Sequence, residues 1–538
     1  MGKITRLSFL LKVLALACIF GVNAESPYRY YDWEITHGMI SPLGVPQRGI
    51  LINGQFPGPK IECNTNDNVY VTIYNKLDEP LLMTWNGIWQ RKMSWQDGVL
   101  GTNCPIPPNT NWTFKMQAKD QIGSYMYFPS TGMQRLAGAF GAFNIIRRSV
   151  IAIPYPEPAG EHTLLVGDWY NTDYKDLQNR LDNGNGMPQP DGLLINGDPK
   201  NTIITGEAGK TYLVRVSNVG TMTSFNIRIQ EHGLKLVEVE GSHVLQEEYD
   251  SLDVHPGQSL AFLVKLNGTV KGYYIVASTR FARTAIQATA ILRYNGSVVG
   301  PSLPLPIGPT YEVHWSMKQA RTFRWNLTAN AARPNPQGSY RYGGIQITRT
   351  IIIQQSVGEI DGKQRYGVNN VSYINPDTPL KLADYYNIPG VFDLNTSRDQ
   401  PSPGPMVNGT SVYGVALHNY VELIFQNNET TTQSWHLDGH NFFVVAFGAN
   451  SVWSPDMRRK YNLVDAVWRS TVQVYRNSWT AVLVSLDNKG MWNLRSAIWH
   501  RRYLGQEVYF RVWNNENSLK TENDIPPEAL KCGKAVNL

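Results

Sequence analysis

The chain has 538 residues, with 49 Lys and Arg against 43 Asp and Glu for a formal net charge of +6, and it contains 10 His and 4 Cys. So mild a positive excess, with no basic cluster interleaved with aromatics, argues against nucleic acid as a partner. The length suffices for several domains, each with its own core.

Read from the amino terminus, Lys3, Arg6 and Lys12 precede an apolar run from Val13 to Phe20, and Val22-Asn23-Ala24 is a small-residue cleavage site. This pattern predicts a secretory signal over residues 1–24 and a mature chain starting near Glu25. Losing three cations lowers the formal charge to about +3. No other stretch is apolar enough to cross a bilayer. The tail from Asp524-Ile525-Pro526-Pro527 to Asn537-Leu538 lacks the hydrophobic end of a lipid-anchor signal. The expectation is a secreted, extracellular protein with no transmembrane segment or lipid anchor.

Glycosylation sequons stand at Asn111, Asn267, Asn295, Asn326, Asn370, Asn395, Asn408 and Asn428, which fits a glycoprotein. Three cysteines remain after cleavage, Cys63, Cys104 and Cys532, and an odd number leaves one thiol unpaired.

A weak repeat runs through the chain. Leu51-Ile52-Asn53-Gly54, Leu194-Ile195-Asn196-Gly197 and Met406-Val407-Asn408-Gly409 each precede an alternating run that ends in Asn, at Asn75, Asn218 and Asn427. Three copies of one β-rich unit follow. Period-two patterns and abundant Gly and Pro predict antiparallel sandwiches throughout, an all-β fold. The units are placed at 25–150, 160–298 and 343–538. Pro154-Tyr155-Pro156-Glu157-Pro158 is a stiff linker, and residues 299–342 form a longer connector.

Four short segments carry the chemistry. They read Thr84-Trp85-Asn86-Gly87; Tyr127-Phe128-Pro129-Ser130-Thr131-Gly132-Met133-Gln134-Arg135; Gln433-Ser434-Trp435-His436-Leu437-Asp438-Gly439-His440; and Gly490-Met491-Trp492 with Arg495-Ser496-Ala497, Arg501 and Gln506. Their frame resembles the four copper-binding signatures of the multicopper oxidases, the plant ascorbate oxidases and laccases in particular. The resemblance implies three cupredoxin-like Greek-key domains. It also places Ser496, Arg501 and Gln506 where that family has the Cys, His and Met of its blue-copper centre. Thr84, Asn86, Phe128, Ser130, His436, Asp438, Arg495 and Ala497 fall where the trinuclear cluster has eight imidazoles. Of these only His436 is a histidine, the one residual metal-ligand position. Copper needs soft thiolate and converging imidazole donors, so no cofactor is expected. One copper ion near His436, with His440 sharing a strand face with it, is the alternative.

Something must fill the vacated space, because interiors are close-packed. Asp438 and Arg495 face each other across the family's cluster, and a buried ion pair bridging the first and third domains is expected there. The resemblance also implies a disulfide between Cys104 and Cys532, with Cys63 left as a buried thiol. The segment Trp85 to Gly98, Trp85-Asn86-Gly87-Ile88-Trp89-Gln90-Arg91-Lys92-Met93-Ser94-Trp95-Gln96-Asp97-Gly98, is most similar to the SKU5-similar and pollen-specific ascorbate-oxidase-homologue group. That likeness implies a role in cell-wall expansion, directional growth or pollen-tube growth. Two readings follow. The first is a non-catalytic apoplastic protein binding a wall polysaccharide or an extracellular protein, with Trp89, Trp95 and Trp499 weighed as sugar-stacking or core residues. The second is an oxidoreductase on a single residual copper. Hydrolase chemistry finds neither a nucleophile motif nor a carboxylate pair.

Overall fold

The three Asn-ending runs become the central strands Asn68–Asn75, Thr211–Asn218 and Tyr420–Asn427. The computed structural model describes residues 27–282, 284–329, 341–516 and 518–538. The predicted signal over 1–24 and residues 330–340 of the connector lie outside them. Each central strand pairs in parallel with the opening strand of its unit, Tyr28–Ile40, Glu161–Trp169 or Arg349–Ile360. On its other edge it pairs antiparallel with Asn111–Gln117, Ser259–Lys265 or Ser478–Ser485. A second sheet packs on each, giving three sandwiches of four and four, seven and five, and eight and five strands. The sandwiches are therefore not purely antiparallel. The chain leaves the first hairpin for the opposite sheet and returns beside its opening strand in the same direction, the mark of a Greek-key path.

The closing asparagines share one job. Asn75, Asn218 and Asn427 each donate from Nδ2 to carbonyls of neighbouring turns, at Ile106 (2.8 Å), Thr223 (2.9 Å) and Thr431 (2.8 Å). Each also accepts at Oδ1 from the amide two residues on, a turn that Asn forms with its own backbone.

The upstream repeat is only two-thirds as read. Asn53 and Asn196 sit at φ 51° before glycines at φ 70° and 83° and turn the chain where it leaves the first hairpin of their units. Asn53 accepts from the Glu34 amide (2.7 Å) and Asn196 from the Leu165 amide (2.7 Å). In the third unit Asn369 fills that role, accepting from the Gln354 amide (2.9 Å), with Asn370 rather than Gly as the second left-handed residue. Asn tolerates that conformation, which hides the copy from a search for Asn-Gly. Met406-Val407-Asn408-Gly409 instead leads into an edge strand, Val407–Gly409, parallel to Val371–Tyr373.

The first central strand alternates buried with half-buried residues, whereas the third is buried on both faces. Further elements cover its outer face, as where Arg458 reaches Glu422. The segment from Trp89 to Cys104 leaves the first domain and embraces the third. Trp89 Nε1 donates to Asn441 (3.0 Å), Arg91 pairs with Asp487 (2.8 Å), the Gly101 amide donates to the Tyr509 hydroxyl (3.1 Å), and Cys104 is bonded to Cys532. The expected disulfide is present, and Cys63 is a buried free thiol. Trp89, Trp95 and Trp499 are all buried, so they are core residues and not sugar platforms. Among the described residues no helix is long and apolar enough to cross a membrane.

Candidate functional site

The strands Met83–Asn86, Gln433–Leu437 and Gly490–Ser496 converge, with the turn at Asp97, on one buried polar chamber between the first and third domains. His436 and Arg495 are cross-strand partners. Arg495 is 1% exposed; its NH1 binds the Asp438 carboxylate and Asn493 Oδ1 (3.2 Å), and its NH2 donates to Asn86 Oδ1 (3.2 Å). The expected ion pair is therefore real, but both partners belong to the third domain. The link to the first domain runs through the neutral amide of Asn86, whose Nδ2 continues to Gly257 O of the second (3.3 Å).

His436 is held at both nitrogens, Nε2 by Asp438 Oδ1 (3.0 Å) and Nδ1 by Thr471 Oγ1 (2.7 Å). Burial, and then the nearby Arg495 charge, keep the ring below its ordinary pKa against the pull of Asp438. A neutral ring facing an ionised Asp438 carries its proton on Nε2, so Nδ1 accepts from the Thr471 hydroxyl. His440 does not share its strand face, because the strand ends at Leu437 and the chain turns at Gly439 (φ 71°). His440 packs edge-on against Trp492 (5.7 Å), and burial lowers its pKa to about 4.

Sequence reasoning gave Asp97 no part here, yet it completes the chamber. Gly98 follows at φ 74°, and a Cβ there would lie 1.7 Å from Met83 O, so only glycine lets the loop press against that strand. Burial, and then the neighbouring Asp438 carboxylate, push Asp97 well above the ordinary carboxylate range, with Arg495 opposing. Burial likewise works against ionised Asp438, but Arg495 and the His436 hydrogen bond outweigh it and hold that group low. Of the two carboxyls, Asp97 is therefore the one that favours its protonated form and Asp438 the one that favours its charge. The signal was an acid inside the apolar segment Trp95 to Gly101.

The remaining positions have other partners. Thr84 Oγ1 donates to Asp97 O (3.0 Å) and Ser130 Oγ to Gly98 O (2.5 Å), which pins the same loop. Phe128 lies under the Arg135 guanidinium (3.7 Å) and against Trp499 (5.4 Å). Burial draws Arg135 down to about 9. Ala497 is buried, and its amide donates to Ser434 O (2.8 Å). Arg501, Gln433, Ser496 and Gln506 form a separate group: Arg501 makes a two-bond pair with Glu429 (2.7 and 2.8 Å). The Gln433 amide oxygen, turned toward Arg501, accepts from it at 3.2 Å. The Ser496 amide donates to Gln506 O (3.0 Å).

Six of the eight sequon asparagines, Asn111, Asn267, Asn295, Asn395, Asn408 and Asn428, are exposed, while Asn326 and Asn370 are half-buried. Asn370 Nδ2 is committed to the Ser402 carbonyl (3.0 Å).

Three tandem sandwiches joined around a buried interdomain chamber define a class, and the chain belongs to the multicopper oxidase family. Family models described as multicopper oxidase match residues 34–149, 160–297 and 377–518. The chain is 50% identical to a protein named L-ascorbate oxidase homolog from Nicotiana tabacum, covering 99% of this chain and 97% of that protein. It is 45% identical to the monocopper oxidase-like protein SKU5 from Arabidopsis thaliana, covering 98% and 94%, and 28% identical to L-ascorbate oxidase from Cucumis sativus, covering 98% and 96%. Among solved structures it resembles Fet3p, a multicopper oxidase that functions in iron import, with a TM-score of 0.77 at 20% identity over 90% of each chain.

Copper is the metal that this family implies. A blue-copper centre needs a thiolate and imidazoles, where this chain has Ser496, Gln433, Arg501 and Gln506. The chamber offers one imidazole with both nitrogens engaged, one carboxylate already neutralised by a guanidinium, and the Asp97 carboxyl, which burial disposes to hold its proton. These side chains do not fit a copper ion.

Proposed function

We propose that this chain is a secreted glycoprotein that keeps the oxidase architecture without its copper chemistry and serves as a binding protein in the plant cell wall, in wall expansion, directional growth or pollen-tube growth. One observation carries the reading: the Arg495 guanidinium is bonded to Asp438 and Asn86 at the centre of the chamber. A cation entering there would meet a fixed positive charge. The wall role rests on the resemblance to the SKU5-like group, and secretion on the segment before Glu25.

The name of the SKU5 relative, monocopper oxidase-like, favours a competing reading in which one copper sits on His436. Against it, a metal at either ring nitrogen would have to displace Asp438 or Thr471. Elemental analysis and paramagnetic resonance on protein secreted into copper-replete medium decide between them. The expected result is copper far below one ion per chain and no copper signal. Stoichiometric copper, with dioxygen consumed in the presence of a phenol or ascorbate, overturns the proposal.

A further inference from the structure

Where the linker crosses between the first and second domains, an open cleft of about 840 Å³ shares no lining residue with the chamber. Its volume falls in the range of small-ligand sites. Ile122, Ile145, Ile153 and Tyr155 supply apolar walls. Its floor is polar and built from buried groups. Arg215 donates from Nε to Glu161 (2.7 Å), and from NH1 to Ser124 Oγ (3.1 Å) and Glu238 (3.4 Å). Beside them stands His243, 4% exposed, with neither ring nitrogen hydrogen-bonded. The Val237 carbonyl, which accepts from the Val244 amide (3.1 Å), also lies close to the ring but out of line for a well-formed hydrogen bond to it.

A buried polar group without a partner costs stability, so the floor is arranged for something that can supply one. Charge narrows the choice. Arg147, Arg148 and Arg215 line the cleft against Asp67, Glu157, Glu161 and Glu238. Arg147 is paired with Glu157, and Asp67 with Arg29. With three guanidiniums against four carboxylates the cleft is close to charge balance, so a cation meets guanidinium repulsion and a uronate meets carboxylate repulsion with little net counter-charge to offset either. A neutral polyol suffers neither. Its hydroxyls donate to carboxylates and accept from guanidinium, and its C–H faces cover the aliphatic wall. Burial lowers the His243 pKa to about 4, so the ring is neutral and presents one donor and one acceptor, the same pair that a hydroxyl offers.

We infer that this interdomain cleft binds a neutral oligosaccharide through Arg215, Glu161, Glu238 and His243. The inference deepens the proposed function and rests on it. Neutral glucan of the wall and a mannose-rich glycan share this chemistry, and the titrations separate them. Calorimetric titration of the full secreted protein with cellotetraose, xyloglucan heptasaccharide, a mannose-rich N-glycan and tetragalacturonate provides the test. Binding of a neutral glycan is expected, with the acidic tetramer weaker. Glu161→Gln at the half-open edge and Ile153→Arg on the wall should each weaken binding about tenfold or more, and Ile153→Arg, which touches no ion pair, should do so with the melting temperature unchanged. Equal or tighter binding of tetragalacturonate overturns the assignment. So does full binding by both variants, which leaves the wall-binding reading standing. Failure of all four glycans at millimolar concentration overturns the cleft assignment and removes support from the glycan-binding form of that reading.

Discussion

Replacing Arg495 by Ala tests the physics of the chamber. Arg495 is 1% exposed and is the counter-charge of a buried Asp438 that already lies near the Asp97 carboxyl. Truncation strands a buried carboxylate and leaves Asn86 Oδ1 and Asn493 Oδ1 without their donor. Breaking a buried pair in this way costs about 3 to 5 kcal/mol. For a domain of this size that is a fall of about 6 to 20 °C in melting temperature. The pH dependence adds a second readout. In the native chain Asp438 is held below the ordinary carboxylate range, so its contribution is present above the unfolded pKa and is lost as pH falls through the folded one. Without Arg495 the group rises above its unfolded value, and its penalty vanishes in acid and grows toward neutrality. Thermal melts of secreted Arg495→Ala and native protein at pH 4 and pH 7 should therefore differ least at pH 4. Equal melting temperatures at both pH values would refute the ion pair as the element that holds the chamber.

Asp97→Asn keeps shape and donor while removing the need to bind a proton. A raised folded pKa lends stability below the unfolded value and loses it as pH rises, so the variant should melt a few degrees higher than native at pH 7 and equally at pH 4. Cys104→Ser with Cys532→Ser opens a bond spanning 428 residues; loop entropy sets an upper bound of about 6 kcal/mol, and a loss of about 2 to 5 kcal/mol should appear in urea midpoints. Peptide mapping after glycosidase treatment should find Asn370 unmodified, because its half-buried amide is held by the Ser402 carbonyl, and glycans on some or all of the six exposed sequons.

The ligand motifs were legible because their frame survived: Gly490-Met491-Trp492 and Trp435-His436-Leu437 stand where the resemblance puts them, so Asp438 and Arg495 could be set face to face. Their bridge to the first domain was misread because Asn86, counted only as a lost imidazole, turned out to be the joint. Asp97 escaped because its role depends on Gly98 letting a loop approach a strand, a tertiary fact. The third copy of the repeated turn was misplaced because Asn370 does what glycine does elsewhere. The linker cleft was invisible for a plainer reason: its floor residues come from separate strands, Glu161, Arg215, Glu238 and His243, and no spacing along the chain announces it.

The bond between Cys104 and Cys532 makes one covalent circuit of nearly the whole described chain, with the entire middle sandwich inside it. A protease that cuts any single exposed loop between residues 105 and 531 would open the circuit without releasing a fragment. Such a molecule would migrate as an intact species until reduced, and could continue in service after damage that would dismember an unlinked relative.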